Sequence, residues 1–188
     1  MASRLVVVGA SLGGMAALKV LLQGLAPAFA LPIAIVQHRH KDSADQIIGF
    51  LQRSTSLTVK EVEDKDQIAS GYVYLAPPDY HLLIEADHFA LSTDEPVSYA
   101  RPSIDVLFES AADVYRERTI GIILTGANQD GAAGAAAVKA CGGLVFVQDP
   151  KTAQSPVMPE ATIARTSVDE ILSLPDIAAR LNQLCCIP

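Results

Sequence analysis

Residues Gly9-Ala10-Ser11-Leu12-Gly13 spell G-x-S-x-G directly after the apolar run Leu5-Val6-Val7-Val8. A serine between glycines on a sharp strand-to-helix turn presents its hydroxyl at the carboxyl edge of a sheet, as a nucleophile for acyl transfer. Small neighbours let the backbone turn tightly and let a substrate carbonyl come close. A helix starting near Gly14 brings N–H groups and its positive dipole end to the spot where negative charge develops.

A serine hydroxyl is a weak nucleophile at neutral pH and needs a base that a third group orients. His38 follows a second apolar run, Pro32–Gln37, and a parallel sheet would deliver it to the same edge as Ser11. A histidine at a strand end is by itself more often a surface or capping residue, and it is the neighbouring serine turn that favours a base. His40 competes for the role, because side-chain alternation aims it the same way. The orienting acid is sought at another strand end. There Ile120–Leu124 runs into Thr125-Gly126-Ala127-Asn128-Gln129-Asp130-Gly131, ahead of an alanine-rich helix. Asp130 either orients the histidine or merely caps that helix. The same turn offers N–H groups to an oxyanion, so Leu12 and Ala127 are the expected backbone donors. The order Ser11, His38, Asp130 matches neither α/β-hydrolases nor chymotrypsin nor subtilisin.

Rival chemistries fare worse. Gly9, Ser11 and Gly14 fall at the glycine positions of G-x-G-x-x-G. However, a serine side chain blocks the pyrophosphate position, and Gln37-His38 replaces the acid that binds the ribose. Asp42 falls in the following loop. His38-x-His40 resembles a metal pair, but no further ligands stand at suitable spacing. No cofactor and no metal are expected. Cys141, Cys185 and Cys186 form no C-x-x-C pair and read as small apolar residues in a reducing compartment.

The elements that must position these residues alternate. Strands are expected at Leu5–Gly9, Pro32–Gln37, Thr58–Val62, Thr119–Leu124 and Leu144–Gln148. Helices are expected at Gly14–Leu25, Ala44–Ser54, Ile104–Tyr115, Gly131–Cys141 and Asp176–Leu184, with Ser103 placed to cap the third. Gly71–Ser92 breaks the pattern. Its runs Tyr72–Ala76, His81–Glu85 and His88–Leu91, separated by Pro77-Pro78-Asp79 and Ala86-Asp87, read as an antiparallel hairpin at one side of the sheet. His81 and His88 there read as structural or exposed. The expected fold is α/β: a single doubly wound domain over 1–188, with a mainly parallel sheet and a small antiparallel hairpin.

Composition agrees. Half of the 188 residues are hydrophobic and 5% aromatic, which suits an α/β core better than a β-sandwich. A net charge of −7 without a Lys/Arg cluster argues against nucleic acid and anionic membranes as partners. Apolar runs are strand-length, too short to enter a membrane, and the N-terminus does not read as a signal peptide.

Several blocks carry a resemblance: Gly9-Ala10-Ser11-Leu12-Gly13-Gly14, Val36-Gln37-His38, Ala76-Pro77-Pro78-Asp79-Tyr80-His81-Leu82, Arg101-Pro102-Ser103-Ile104-Asp105-Val106-Leu107-Phe108, Leu124-Thr125-Gly126 with Asp130-Gly131, and Gln148 to Ala153 through Met158-Pro159. In these blocks the chain resembles the catalytic domain of the chemotaxis protein-glutamate methylesterase family. The resemblance implies a cytoplasmic serine hydrolase in signal transduction that removes methyl groups from chemoreceptor glutamates, releases methanol and deamidates certain glutamines. It maps the family's catalytic triad onto Ser11, His38 and Asp130, and names methyl-accepting chemoreceptors as the protein substrate. Three departures stand out: Leu12 replaces the usual Thr, Arg39 replaces Met, and Ala127-Asn128 replaces Met-Gly. They leave the three residues in place and bear on substrate range and rate. Family members commonly carry an N-terminal receiver domain. With a first strand at Leu5, the expectation is a domain without one, open to a separate regulator in trans. The alternatives are a receptor- or scaffold-binding module with weakened catalysis, and a hydrolase of small free esters.

Overall fold

The structure, a computed structural model, describes residues 4–38 and 44–185. The first strand shows why the pattern folds as it does. All six residues of β1 (Leu5–Ala10) are buried, because β1 is a central strand covered on both faces. Val6, Val8 and Ala10 point into one apolar layer, Leu5 and Val7 into the other.

Around β1 lie β2 (Ile33–Gln37), β3 (Thr58–Glu61), β4 (Tyr72–Leu75), β7 (Thr119–Ile123), β8 (Leu144–Gln148) and β9 (Glu170–Leu172). The seven strands run in the order β3-β4-β2-β1-β7-β8-β9, every pair parallel. From β1 the chain winds outward through β2, then returns to the other side of β1 with β7. The loops after β1, β2 and β7 therefore meet at one topological switch point, where doubly wound sheets bind ligands. Helices α1 (Gly14–Gln23), α2 (Ala44–Gln52) and α6 (Leu174–Cys185) accompany one face, and α3 (Ile104–Tyr115) and α4 (Ala132–Ala140) cover the other. A fifth helix, α5 (Val157–Arg165), follows β8 and buries Met158 in the second layer.

The ends of the other expected elements differ from expectation by at most two residues. The larger correction concerns Tyr72–Ala76. Its residues 72–75 form β4, pairing parallel with both β2 and β3 inside the main sheet. Val73 and Leu75 face one layer and Tyr74 the other, so the strand needed cover on both sides. Only β5 (His81–Ile84) and β6 (Phe89–Ser92) form the antiparallel hairpin. Helix α5 and the three-residue β9 were not anticipated. Pro159 and a dispersed apolar pattern hide the first, and shortness hides the second. Among the described residues, no helix is long and apolar enough to cross a membrane.

Candidate active site

Three strand ends build the site. Ser11 directly follows β1, and its N–H donates to Thr125 O (3.0 Å) in the turn after β7. The left-handed residue of the serine turn is Gly13 (φ 80°), the N-cap of α1. A side chain there would be strained and would also collide with Gln154. Ser11 itself keeps φ below zero, so the left-handed conformation sits two residues beyond the nucleophile position.

His38 follows β2 and lies between Ser11 and Asp130. Its Nδ1 is 3.3 Å from Ser11 Oγ, and its Nε2 is 2.8 Å from Asp130 Oδ2. A carboxylate only accepts, so Nε2 carries the proton and Nδ1 presents its lone pair to the serine hydroxyl. Gln37 ties the two backbones together, its Nε2 donating to both Ser11 O and His38 O at 2.9 Å.

Asp130 is buried with four hydrogen bonds. Oδ2 accepts from His38 and from Ile104 N–H (2.7 Å), while Oδ1 accepts from Ser103 Oγ (2.8 Å) and Asp105 N–H (3.0 Å). Burial alone raises its pKa. The hydrogen bonds from His38, from the Asp105 and Ile104 N–H groups and from Ser103 outweigh burial and hold the carboxyl below its ordinary value. Asp130 thus bonds the His38 ring and also serves as a cap, but of α3 rather than of the helix that follows it. Ser103 correspondingly makes no side-chain cap bond to its own helix; it donates to Asp130 instead.

Of the expected oxyanion donors, Leu12 adjoins the serine, and Ala127 follows Gly126, where a Cβ would lie 3.0 Å from Ser11 Cβ. The N–H groups of Leu12 and Ala127 make no hydrogen bond among the described residues, whereas Gly126 N–H is spent on Ser155 O. Thr125 Oγ1 donates to Leu12 O (2.8 Å), and Thr125 N–H donates to Gln148 Oε1 (2.9 Å), locking the two turns together. Two open clefts share Ser11 and His38. One, of ≈ 440 Å³, is rimmed by Tyr99, Arg101, Pro102 and Asn128. The other is rimmed by Leu12, Gly13, Met15 and Gln154. Leu12 and Tyr99 are both exposed apolar residues on these rims.

Asn128 reaches the imidazole. Its Oδ1 accepts from Asp130 N–H (3.2 Å), which turns Nδ2 toward His38 Nδ1, also at 3.2 Å. Two donors therefore share one lone pair. His81 is buried, accepts from Ser103 N–H (3.2 Å) and supports the start of α3. His88 pairs with Glu85 and Asp87 away from the site. His40, Arg39, Asp42 and Cys186 lie outside the described residues. Among the described residues, no group of three or more His, Cys, Asp or Glu side chains is placed to hold a metal.

Sequence reasoning missed Gln37, Thr125, Gln148 and Asp105 as working parts. The available signal was a polar residue closing an otherwise apolar strand, at Gln37 and Gln148 alike.

Known proteins are similar in sequence and fold. The sequence model described as CheB methylesterase matches residues 6–181. A Leptospira interrogans protein, provisionally named protein-glutamate methylesterase/protein-glutamine glutaminase, is 50% identical over 182 residues, covering 95% of this chain and 94% of its own length. A Thermotoga maritima protein named protein-glutamate methylesterase/protein-glutamine glutaminase is 35% identical over 185 residues, but this chain spans only 54% of it. The crystal structure of the Thermotoga maritima CheB methylesterase catalytic domain superimposes with a TM-score of 0.94 at 34% identity, covering 98% of this chain and all of that one. By sequence and by fold, this chain belongs to the CheB methylesterase family.

Proposed function

We propose that this chain is a protein-glutamate methylesterase that hydrolyses the methyl esters of chemoreceptor glutamates through Ser11, His38 and Asp130, and deamidates receptor glutamines by the same acyl chemistry. The observation that carries the reading is His38 held between Ser11 Oγ at 3.3 Å and a buried, ionised Asp130 at 2.8 Å. Ser11 Oγ attacks the ester carbonyl while His38 Nδ1 takes its proton. The tetrahedral oxyanion is received by the N–H groups of Leu12 and Ala127, aided by the start of α1. His38 then protonates the departing methoxide, giving methanol, or the departing amide nitrogen in deamidation, giving ammonia. Water activated by the same imidazole releases the glutamate carboxylate from Ser11. Asp130 keeps the imidazole in the required tautomer and stabilises the imidazolium.

The relatives' names supply the substrate class, and the two clefts flanking Ser11 leave room for a protein surface. The test is methanol release from methylated chemoreceptor membranes. Wild-type protein should release methanol and Ser11→Ala should not. Activity on short free esters with none on methylated receptors would instead make this a small-ester hydrolase.

A further inference from the structure

Two helices at the carboxyl edge exchange their caps. The first N–H groups of α3, on Ile104 and Asp105, donate to Asp130, which lies just ahead of α4. The N-cap of α4 is Gly131 (φ 97°), which has no side chain to offer. Its own N–H and that of Gly134 donate instead to Asp105 Oδ1, at 2.9 and 2.7 Å. Each helix is therefore capped by a carboxylate from the leading turn of the other. The reach is short because the helices nearly touch at Gly134. A Cβ there would lie 2.5 Å from Phe108 Cβ and 3.0 Å from Asp105 Cα.

An ordinary cap is a serine, threonine, asparagine or aspartate of the helix's own N-terminus, with no second acid nearby. Here two carboxylates are buried side by side. Burial pushes the Asp105 carboxyl up, and the Asp130 charge adds to this, against the opposing hydrogen bonds from Gly134, Gly131 and Ala133. Stability alone does not favour such a pair. A local rule broken in this way, beside reacting groups, points to geometry serving the site.

We propose that Asp105 is a positioning residue for ester hydrolysis. By holding the N–H groups of Gly131 and Gly134 against α3, it fixes the backbone that carries Asp130, and through Asp130 the imidazole of His38. This inference rests on the proposed Ser11–His38–Asp130 chemistry. Its effect falls on kcat, because the clefts that receive substrate are rimmed by other residues and a displaced acid leaves binding intact.

The experiment measures kcat and KM on a peptide bearing a glutamate methyl ester, for wild type, Asp105→Ala, Asp105→Asn, Ser11→Ala and Asp130→Ala. Leu181→Ala, buried under the far face of the sheet, serves as a destabilised control. The far-downfield NMR signal of the His38 ring N–H bound to Asp130 is recorded in parallel. Asp105→Ala should lower kcat about 100-fold, the cost of misplacing a catalytic group by roughly 1 Å, with KM unmoved and the ring N–H signal shifted. Asp105→Asn keeps an acceptor oxygen for both N–H groups and should recover most of the loss. Leu181→Ala should lose melting temperature without losing kcat. If Asp105→Ala does not fold, Asp105→Ser, whose hydroxyl is too short to reach Gly134 N–H, takes its place under the same readings. Wild-type kcat in Asp105→Ala, or equal damage from Ala and Asn, would overturn the inference. If Ser11→Ala and Asp130→Ala also kept wild-type kcat, the triad reading itself would be wrong. If those two were inactive while Asp105→Ala stayed active, only the positioning role would fall.

Discussion

The apolar layers of the central sheet and its carboxyl edge are held together by different means. Under α1, α2 and α6 lies a layer of Leu, Val, Ile and Phe, with Leu18, Leu21, Leu22 and Leu181 at its centre. Along the carboxyl edge, where α3 and α4 begin, the chain is held by polar bonds between distant segments. Ser103, Ile104 and Asp105 bond to Asp130, and Asp105 bonds back to Gly131 and Gly134. The apolar layer is non-directional and tolerates change in proportion to the volume removed. The polar edge is directional, and one misplaced oxygen leaves several buried donors without a partner. Stability can therefore be lost on one side without touching chemistry, whereas chemistry and stability are joined on the other.

The largest effect that could break this contrast is the removal of the base. His38→Ala should reduce turnover by about 10⁴-fold or more, as in other enzymes stripped of a triad member, and should also lower the melting temperature, because it leaves the buried Asp130 carboxylate without one of its four hydrogen bonds. Activity within tenfold of wild type would show that the polar edge holds the fold and does no chemistry. Next in size is Leu181→Ala. It should cost about 2–5 kcal/mol in denaturant unfolding while leaving kcat of the folded fraction unchanged. A fall in kcat there would mean that the apolar layer and the polar edge are not separable.

The smallest effect sharpens the contrast through pH. Asp130 has its folded pKa held below the ordinary carboxylate value, so the folded state binds its proton more weakly than the unfolded state. Its contribution to stability is present above the unfolded value, about 4, and is lost as pH falls through the folded value. The stability gap between wild type and Asp130→Asn should therefore be full at neutral pH and close below pH 4, by about 1–3 kcal/mol. A gap independent of pH would assign the stabilisation to shape rather than charge.

The same division decides what could be read from sequence. Strands β1, β2, β7 and β8 and helices α1 and α3 followed from apolar runs and 3.6-residue spacing, because apolar contact leaves a periodic trace. The serine turn and the two strand-end residues His38 and Asp130 were legible as residue types at strand ends. The partner of Asp130's cap was not. Its donors come from Ser103 to Asp105, some 25 residues earlier, and no local pattern encodes a bond between two loops. Strand β4 was misassigned for a related reason. A four-residue apolar run beside a hairpin looks the same whether it pairs with the hairpin or with β2 and β3. Asn128 was visible only as a departure from the resemblance, while its contact with His38 Nδ1 depends on a side-chain bond back to Asp130 N–H.

In the proposed mechanism Ser11 carries the acyl group during turnover. The most direct measurement mixes the protein with a glutamate methyl ester peptide, quenches in acid within the first turnovers and maps the covalent adduct by mass spectrometry. A glutamyl adduct is expected on the peptide containing Ser11, formed with one equivalent of methanol and absent in Ser11→Ala. An adduct on another residue, or multiple turnovers by Ser11→Ala at the wild-type rate, would contradict it.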